Sequence, residues 1–189
     1  MKVIAINGSP RKGGNTDLLL DEVLGIIKRN QIEAETIFLR DHKLQPCDAC
    51  GYCREHPGKC HIQDDFPLIF EKSLAAEGII LATPVYFGSA TPPIKVFIDR
   101  VGYVARHMES SFERKIGAGV VVARRAGHNF TLAQLYFFFA ALGMIITPSP
   151  HYWTIAFGRE KGQVTGDEEG MITMRKLAEN IVWLAKKLY

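Results

Sequence analysis

Four cysteines carry the most specific chemistry in the sequence: Cys47-x2-Cys50-x2-Cys53-x6-Cys60. Thiolates are soft ligands. Three at intervals of three residues let one curling loop aim its sulfurs at a single centre, as the ligand loop of a [4Fe–4S] cube does. Cys60 can complete the set locally, and Gly51, Pro57 and Gly58 permit the tight turns, with Pro46 opening the segment. Tetrahedral zinc is the chemical competitor, although structural zinc ordinarily takes two ligand pairs separated by a longer insert. A redox dithiol needs only one C-x-x-C, and four unliganded thiols are the plain alternative. His42, His56 and His61 flank the cysteines as alternative metal ligands or as solvated loop residues. No cysteine lies outside residues 47–60, the opposite of a disulfide framework that staples distant segments, so a reducing compartment is expected.

A second candidate is Gly8-Ser9-Pro10-Arg11-Lys12-Gly13-Gly14-Asn15-Thr16. Glycines and small hydroxyl residues before a helix N-terminus offer backbone N–H donors and a favourable dipole to an anion. The Gly-Lys-Ser/Thr ending of a Walker A loop is missing, and the glycines lack the G-x-G-x-x-G spacing, so a monophosphate suits the loop better. The alternative is a Gly-rich surface turn. A third candidate is Pro84-Val85-Tyr86-Phe87-Gly88-Ser89, apolar and aromatic, whose rings would otherwise be core residues at a strand end.

The elements that position these loops follow from hydrophobic periodicity. Lys2–Ile6, Glu33–Leu39, Gly78–Thr83, Ile116–Ala123 and Met144–Thr147 read as strands, the fourth apolar almost throughout, as a strand covered on both faces is. Helices are expected from a cap at Asn15 or Thr16, over Phe66–Ala76, around Ile94, Phe97, Ile98 and Val101, over about 130–142, and through Leu177, Ile181, Leu184 and Leu188. Residues 40–65 read as an inserted loop, and Asp64-Asp65 as the start of the following helix. Strands alternating with helices predict an α/β fold with a doubly covered parallel sheet. Ligands of such a sheet bind beyond the carboxyl ends of the strands, where the loops after strands one to four all emerge.

These residues carry a resemblance. Gly8-Ser9-Pro10-Arg11-x-Gly13-Gly14-Asn15-Thr16, Thr83-Pro84-Val85-Tyr86-Phe87-Gly88-Ser89 and Ile98-Asp99-Arg100, two of them directly following strands, resemble the flavodoxin-like NAD(P)H-dependent FMN reductases. The similarity runs from residue 1 to about 147 and thins beyond. It implies a single flavodoxin-like domain over 1–189, a doubly wound five-stranded parallel sheet in the order 2-1-3-4-5, and FMN as cofactor. The phosphate would lie at Ser9, Arg11, Asn15 and Thr16, and the isoalloxazine ring against Pro84, Val85, Tyr86, Phe87 and Gly88. A flavin ring suits that second loop chemically, because its faces take apolar and π contact and its N5–O4 edge takes donors. Where many such reductases are glycine-rich, this chain has Arg124-Arg125. These arginines would meet the electron-rich pyrimidine end of the flavin, meet a partner's carboxylates, or stay solvated.

The compact cysteines on such a chain, with Arg124-Arg125 followed by Gly127, are similar to the iron–sulfur flavoproteins of anaerobic archaea and bacteria. That implies a homodimer or a homotetramer, each cluster close to a neighbouring subunit's FMN, and electron traffic with ferredoxin. The expected function is electron transfer through FMN and a [4Fe–4S] cluster held by Cys47, Cys50, Cys53 and Cys60. The rivals are a cluster-free NAD(P)H-dependent FMN or quinone reductase and a flavin-based redox-sensing module.

Composition narrows the setting. There are 23 Lys+Arg against 20 Asp+Glu, a formal charge of +3, with no concentrated basic face to favour nucleic acid. At 47% hydrophobic and 23% charged residues, the chain can bury an ordinary core. Lys2 is followed by only four apolar residues, so no leader is expected, and Leu135–Ile146 is too short to span a bilayer. A cytoplasmic location is expected. Leu135–Leu142 is apolar almost all the way round a helix, which points to a subunit interface or to cover by the loop bearing Tyr152, Trp153 and Phe157.

Overall fold

The computed structural model describes residues 1–189. Strands β1 (Lys2–Asn7), β2 (Glu33–Phe38), β3 (Gly78–Pro84), β4 (Ile116–Ala123) and β5 (Ile145–Ile146) form a parallel sheet in the order β2-β1-β3-β4-β5. This is the flavodoxin-like order, whose switch point lies between β1 and β3. A sixth strand, β6 (Ile155–Phe157), also pairs parallel with β4. The edge of β4 is therefore shared: Ile116 and Gly117 face β5, and Val121–Ala123 face β6. The intervening loop lets the chain rejoin the sheet at the carboxyl end of β4, beside the predicted sites.

Alternation along β1 divides the core in two. Val3 and Ala5 pack with α1 (Asn15–Arg29) and α6 (Glu168–Leu188). Ile4 and Ile6 face α3 (Phe66–Ala75), α4 (Pro92–Ala105) and α5 (His128–Ala141). A one-turn helix, α2 (Tyr52–Glu55), lies among the cysteines. Gly117 and Gly119 of β4 let α5 approach closely, since a Cβ on either would stand 2.8 Å from Phe139 or Leu132.

The N-cap of α1 is Gly14, in extended conformation and with no side-chain cap. Asn15 and Thr16, expected as caps, are instead the first helical residues and are buried. Leaving the helix end uncapped by a side chain frees its first N–H groups for another acceptor.

Gly8 sets the distance between the anion loop and α4. A Cβ there would meet Ile94 Cγ1 at 2.2 Å and Thr91 Oγ1 at 2.6 Å, both fully packed, and Thr91 Oγ1 donates to the Gly8 carbonyl at 2.8 Å. Gly8→Ala is expected to cost about 2 kcal/mol through overpacking, read as a lowered midpoint in chemical denaturation. An unchanged midpoint would show that α4 moves aside freely.

Candidate functional site

The loops at the carboxyl end of the sheet enclose a cavity of about 240 Å³. Ser9, Arg11, Asn15 and Thr16 form one side, and Pro84, Val85 and Tyr86 form another. Val122 and Ala123 come from the end of β4, and Arg124 from the loop that follows it. Eight of the ten residues predicted for a flavin site thus line one cavity. Phe87 and Gly88 do not. They are the central residues of a turn closed by reciprocal Tyr86–Ser89 backbone bonds, with φ of 49° and 80°, and Phe87 is fully exposed. That handedness sends the ring outward, which aromatic character alone does not reveal.

The anion loop is held from beneath. Asp17, on the first turn of α1, accepts from Asn7 Nδ2 at 2.7 Å, from Gly13 N–H at 2.7 Å, and from both terminal nitrogens of Arg40 at 3.1 and 2.9 Å. Asn7 Oδ1 accepts the Ser9 N–H at 2.8 Å, and Arg40 also donates to the Ser9 carbonyl at 3.3 Å. A carboxylate beside an anion site would repel its ligand, and the Arg40 guanidinium offsets that charge. Asn7, Asp17 and Arg40 were not singled out in the sequence because they meet only when the first two strand ends lie side by side.

The segment after β6 closes the cavity with Gly158, Arg159 and Lys161. Asn15 Nδ2 donates to the Glu160 carbonyl at 2.9 Å, and Arg11 Nη1 donates to the Arg159 carbonyl at 3.1 Å. A Cβ on Gly158 would lie 2.7 Å from Asn15 Nδ2, so this strap sits directly on the loop. The Asn15 amide therefore serves the strap. Arg11, Arg124, Arg159 and Lys161 place four cations around one cavity, with Glu160 paired to Arg159 at 3.2 Å, an excess of positive charge that favours a dianionic phosphate. The residues fit FMN. The signal for the strap in sequence was the short Ile155–Phe157 run ending at Gly158-Arg159, too brief to read as a strand.

Behind the cavity, His128 opens α5, buried and edge-on to Phe157 at 4.5 Å. Its Nε2 has no partner. Burial pushes the imidazole below its ordinary value, with the Ala156 carbonyl and Asp167 acting the other way. The folded form thus binds its proton less readily than the unfolded chain. Stability is full above about pH 6.5 and falls as pH drops from there toward the folded value. His128→Gln should flatten the slope of stability below about pH 6.5. Equal slopes in both proteins would contradict this.

The four cysteines line a second cavity, also of about 240 Å³, walled by Tyr52 from α2 and by Arg100, Tyr103, Val104 and His107 from and just beyond α4. The segment is a closed loop. Gln45 N–H donates to Asp64 Oδ2 at 2.8 Å, and Lys43 exchanges backbone and side-chain bonds with Asp65. Within it Ala49 and Gly51 have φ of 58° and 80°, and Ala49 N–H donates to Cys47 Sγ at 3.4 Å. A left-handed alanine is a strained choice that functional loops retain. Burial raises the Cys53 thiol above its ordinary value, and the proximity of Cys47, Cys50 and Cys60 raises it further. Four cysteines gathered around one cavity would repel one another as thiolates unless cations lay among them, and soft sulfur donors of this kind fit a metal centre.

All four cysteines are free of disulfides. His42 turns to Asp65 and His56 stacks on Tyr52. His61 pairs with Asp48 at 2.8 Å, and this pair with Cys50 places donor atoms within 4.8 Å of one another at the exposed rim. Asp64, expected only as a helix start, does accept the Phe66 N–H at 3.0 Å, but its carboxylate is also buried in an ion pair with Arg100.

The sheet order, the anion loop at its switch point and the adjoining apolar wall define a protein of the flavodoxin-like class. Residues 1–158 match the profile of the NADPH-dependent FMN reductase family, and the chain belongs to that family. It is an FMN-dependent oxidoreductase. It is 39% identical to an iron-sulfur flavoprotein of Methanocaldococcus jannaschii, over 98% of each chain. It is 32% identical to an iron-sulfur flavoprotein of Methanosarcina thermophila, again over 98% of each. A solved flavodoxin from the domain Archaea superposes with a TM-score of 0.65 at 15% identity, over 98% of this chain and 99% of that one, a likeness of fold.

Proposed function

We propose that the protein is an electron-transfer flavoprotein carrying FMN and a [4Fe–4S] cluster. It would link a one-electron donor such as ferredoxin to a two-electron acceptor such as a quinone, oxygen or peroxide. The observation that carries this reading is the coexistence on one chain of a cation-ringed cavity at the flavin position and a closed loop turning four thiols into one cavity. The names of the two archaeal relatives support it. When bound, the cluster supplies single-electron exchange and FMN accepts or releases one or two electrons.

The chain's own residues do the rest. Ser9, Arg11 and Thr16, with the N–H groups opening α1, bind the phosphate, and Asn15 fastens the strap over it. Pro84, Val85 and Tyr86 wall the ring, with Phe87 and Gly88 forming the turn beyond, and Arg124 meets the ring's electron-rich end. Cys47, Cys50, Cys53 and Cys60 hold the iron. Gly127, at φ 92°, lets Val85 and Gly88 pack against the start of α5, where a Cβ would stand 2.8 and 3.0 Å from them.

The working unit is a homodimer or homotetramer. Phe130 and Phe137, seven residues apart on α5, are 77% and 73% exposed, and Tyr103 of α4 is half exposed. Aromatic rings spaced two helical turns apart and left in water are the mark of a face covered by another copy. No helix is long and apolar enough to cross a membrane, and the clustered reduced thiols suit the cytoplasm.

Mixing the anaerobic holoprotein with reduced ferredoxin, NADH or NADPH tests the reading. Flavin bleaching with ferredoxin that outpaces bleaching with either nicotinamide is expected. Fast NAD(P)H oxidation by protein without iron would establish a plain FMN or quinone reductase instead, and slow reduction by all three would favour a redox-sensing module.

A further inference from the structure

The cysteine loop rests on a side chain for which neutral thiols give no reason. Arg100 of α4 is 1% exposed, and its guanidinium stands 4.2 Å over the Phe66 ring. Nη1 donates to the Gln45 carbonyl at 3.2 Å and to the Asp64 carboxylate. Nη2 donates to Cys60 Sγ at 3.1 Å, and Nε is buried without a partner. Burying such an ion pair is commonly no better than packing apolar side chains of the same volume. A neutral thiol is a weak acceptor, so a guanidinium N–H is poorly used on one. An anionic sulfur ligand is a strong acceptor for the same N–H.

We propose that Arg100 is a positioning residue that raises the reduction potential of the metal centre held by the four cysteines, through its N–H···Sγ bond to Cys60. The inference rests on the cluster reading above. Hydrogen bonds to ligand sulfur and nearby positive charge both favour the more negative, reduced state. Asp64 opposes the charge while fixing the plane of the guanidinium, and Phe66 fixes it from the face. Arg100 thus couples the geometry of α4 to the electron affinity of the loop. Lysine would keep the charge without the forked donor that serves Gln45, Asp64 and Cys60 together.

The test is an anaerobic redox titration of the holoprotein and its variants, read by electron paramagnetic resonance of the reduced centre, with iron and sulfide measured on each sample. At a fixed poise near the wild-type midpoint, Arg100→Gln should lower the ratio of reduced to oxidised centre about tenfold, a shift of about 59 mV for one electron. Arg100→Lys should fall between it and wild type. Asp64→Asn should move the ratio the opposite way. A structural role alone would shift the arginine and aspartate variants in the same direction or leave both at the wild-type potential, and either result overturns the proposal. So does loss of iron in both arginine variants while wild type stays loaded, which would make Arg100 an assembly residue. A wild-type protein without iron and sulfide fails before any potential is read, and that distinct failure belongs to the cluster reading.

Discussion

Cys53→Ala is expected to reduce bound iron and sulfide from about four each per chain to near zero while leaving the FMN content unchanged. Cys53 packs partly into the core and its thiol is coupled to the other three, so no other donor stands ready to replace it. His61 and Asp48 lie with Cys50 at the exposed rim and are already paired with each other. The substitution removes one small side chain from an inserted loop whose base is closed by Lys43, Gln45, Asp64 and Asp65. The flavin cavity is built from the other loops, those after β1, β3, β4 and β6. Iron lost and flavin kept would establish that the two centres are separate constructions. Full iron retention in Cys53→Ala would contradict the four-thiol assignment, and joint loss of flavin would show that the loop supports the sheet edge.

Asp17→Ala is expected to weaken FMN binding by one to two orders of magnitude while leaving riboflavin binding nearly unchanged. Asp17 and Arg40 are about nine-tenths buried, so removing one partner strands the other's charge, a loss of about 3 kcal/mol in stability. The same change releases the Gly13 N–H and the Asn7 amide that fixes Ser9. These contacts shape the phosphate loop and touch nothing at Pro84–Tyr86, so the effect should follow the phosphate. Titrating apoprotein with each flavin by fluorescence quenching provides the comparison. Equal weakening of both would show a general collapse of the cavity, and equal retention would remove Asp17 from the account.

Strands β1, β3 and β4 were legible because parallel strands buried on both faces are written as apolar runs, whereas β2 lies half exposed at the sheet edge. Ile116–Ala123 has the same limits in the sequence and in the structure. The anion loop and the four thiols were legible because each is a local motif. What was not legible depends on chain segments far apart. Arg100 reads in the sequence only as the last residue of the Ile98-Asp99-Arg100 motif in mid-helix, and its burial comes from residues 45–64 folding back over it. Asp17 and Arg40 are separated by 23 positions and meet through the β1–β2 register. The strap of Gly158–Lys161 follows a three-residue strand without room for alternation. Asn15 and Thr16 look like caps by residue type, but Gly14 takes that position. Phe87 sits at a left-handed turn position that its side chain gives no reason to expect.

The central claim, that one chain carries both a flavin and an iron–sulfur centre, is tested most directly by measuring iron, acid-labile sulfide, zinc and FMN per chain in protein purified without oxygen. About four irons and four sulfides with one FMN and no zinc is the predicted result. FMN with no iron or sulfide after anaerobic reconstitution, or one zinc in their place, would contradict it.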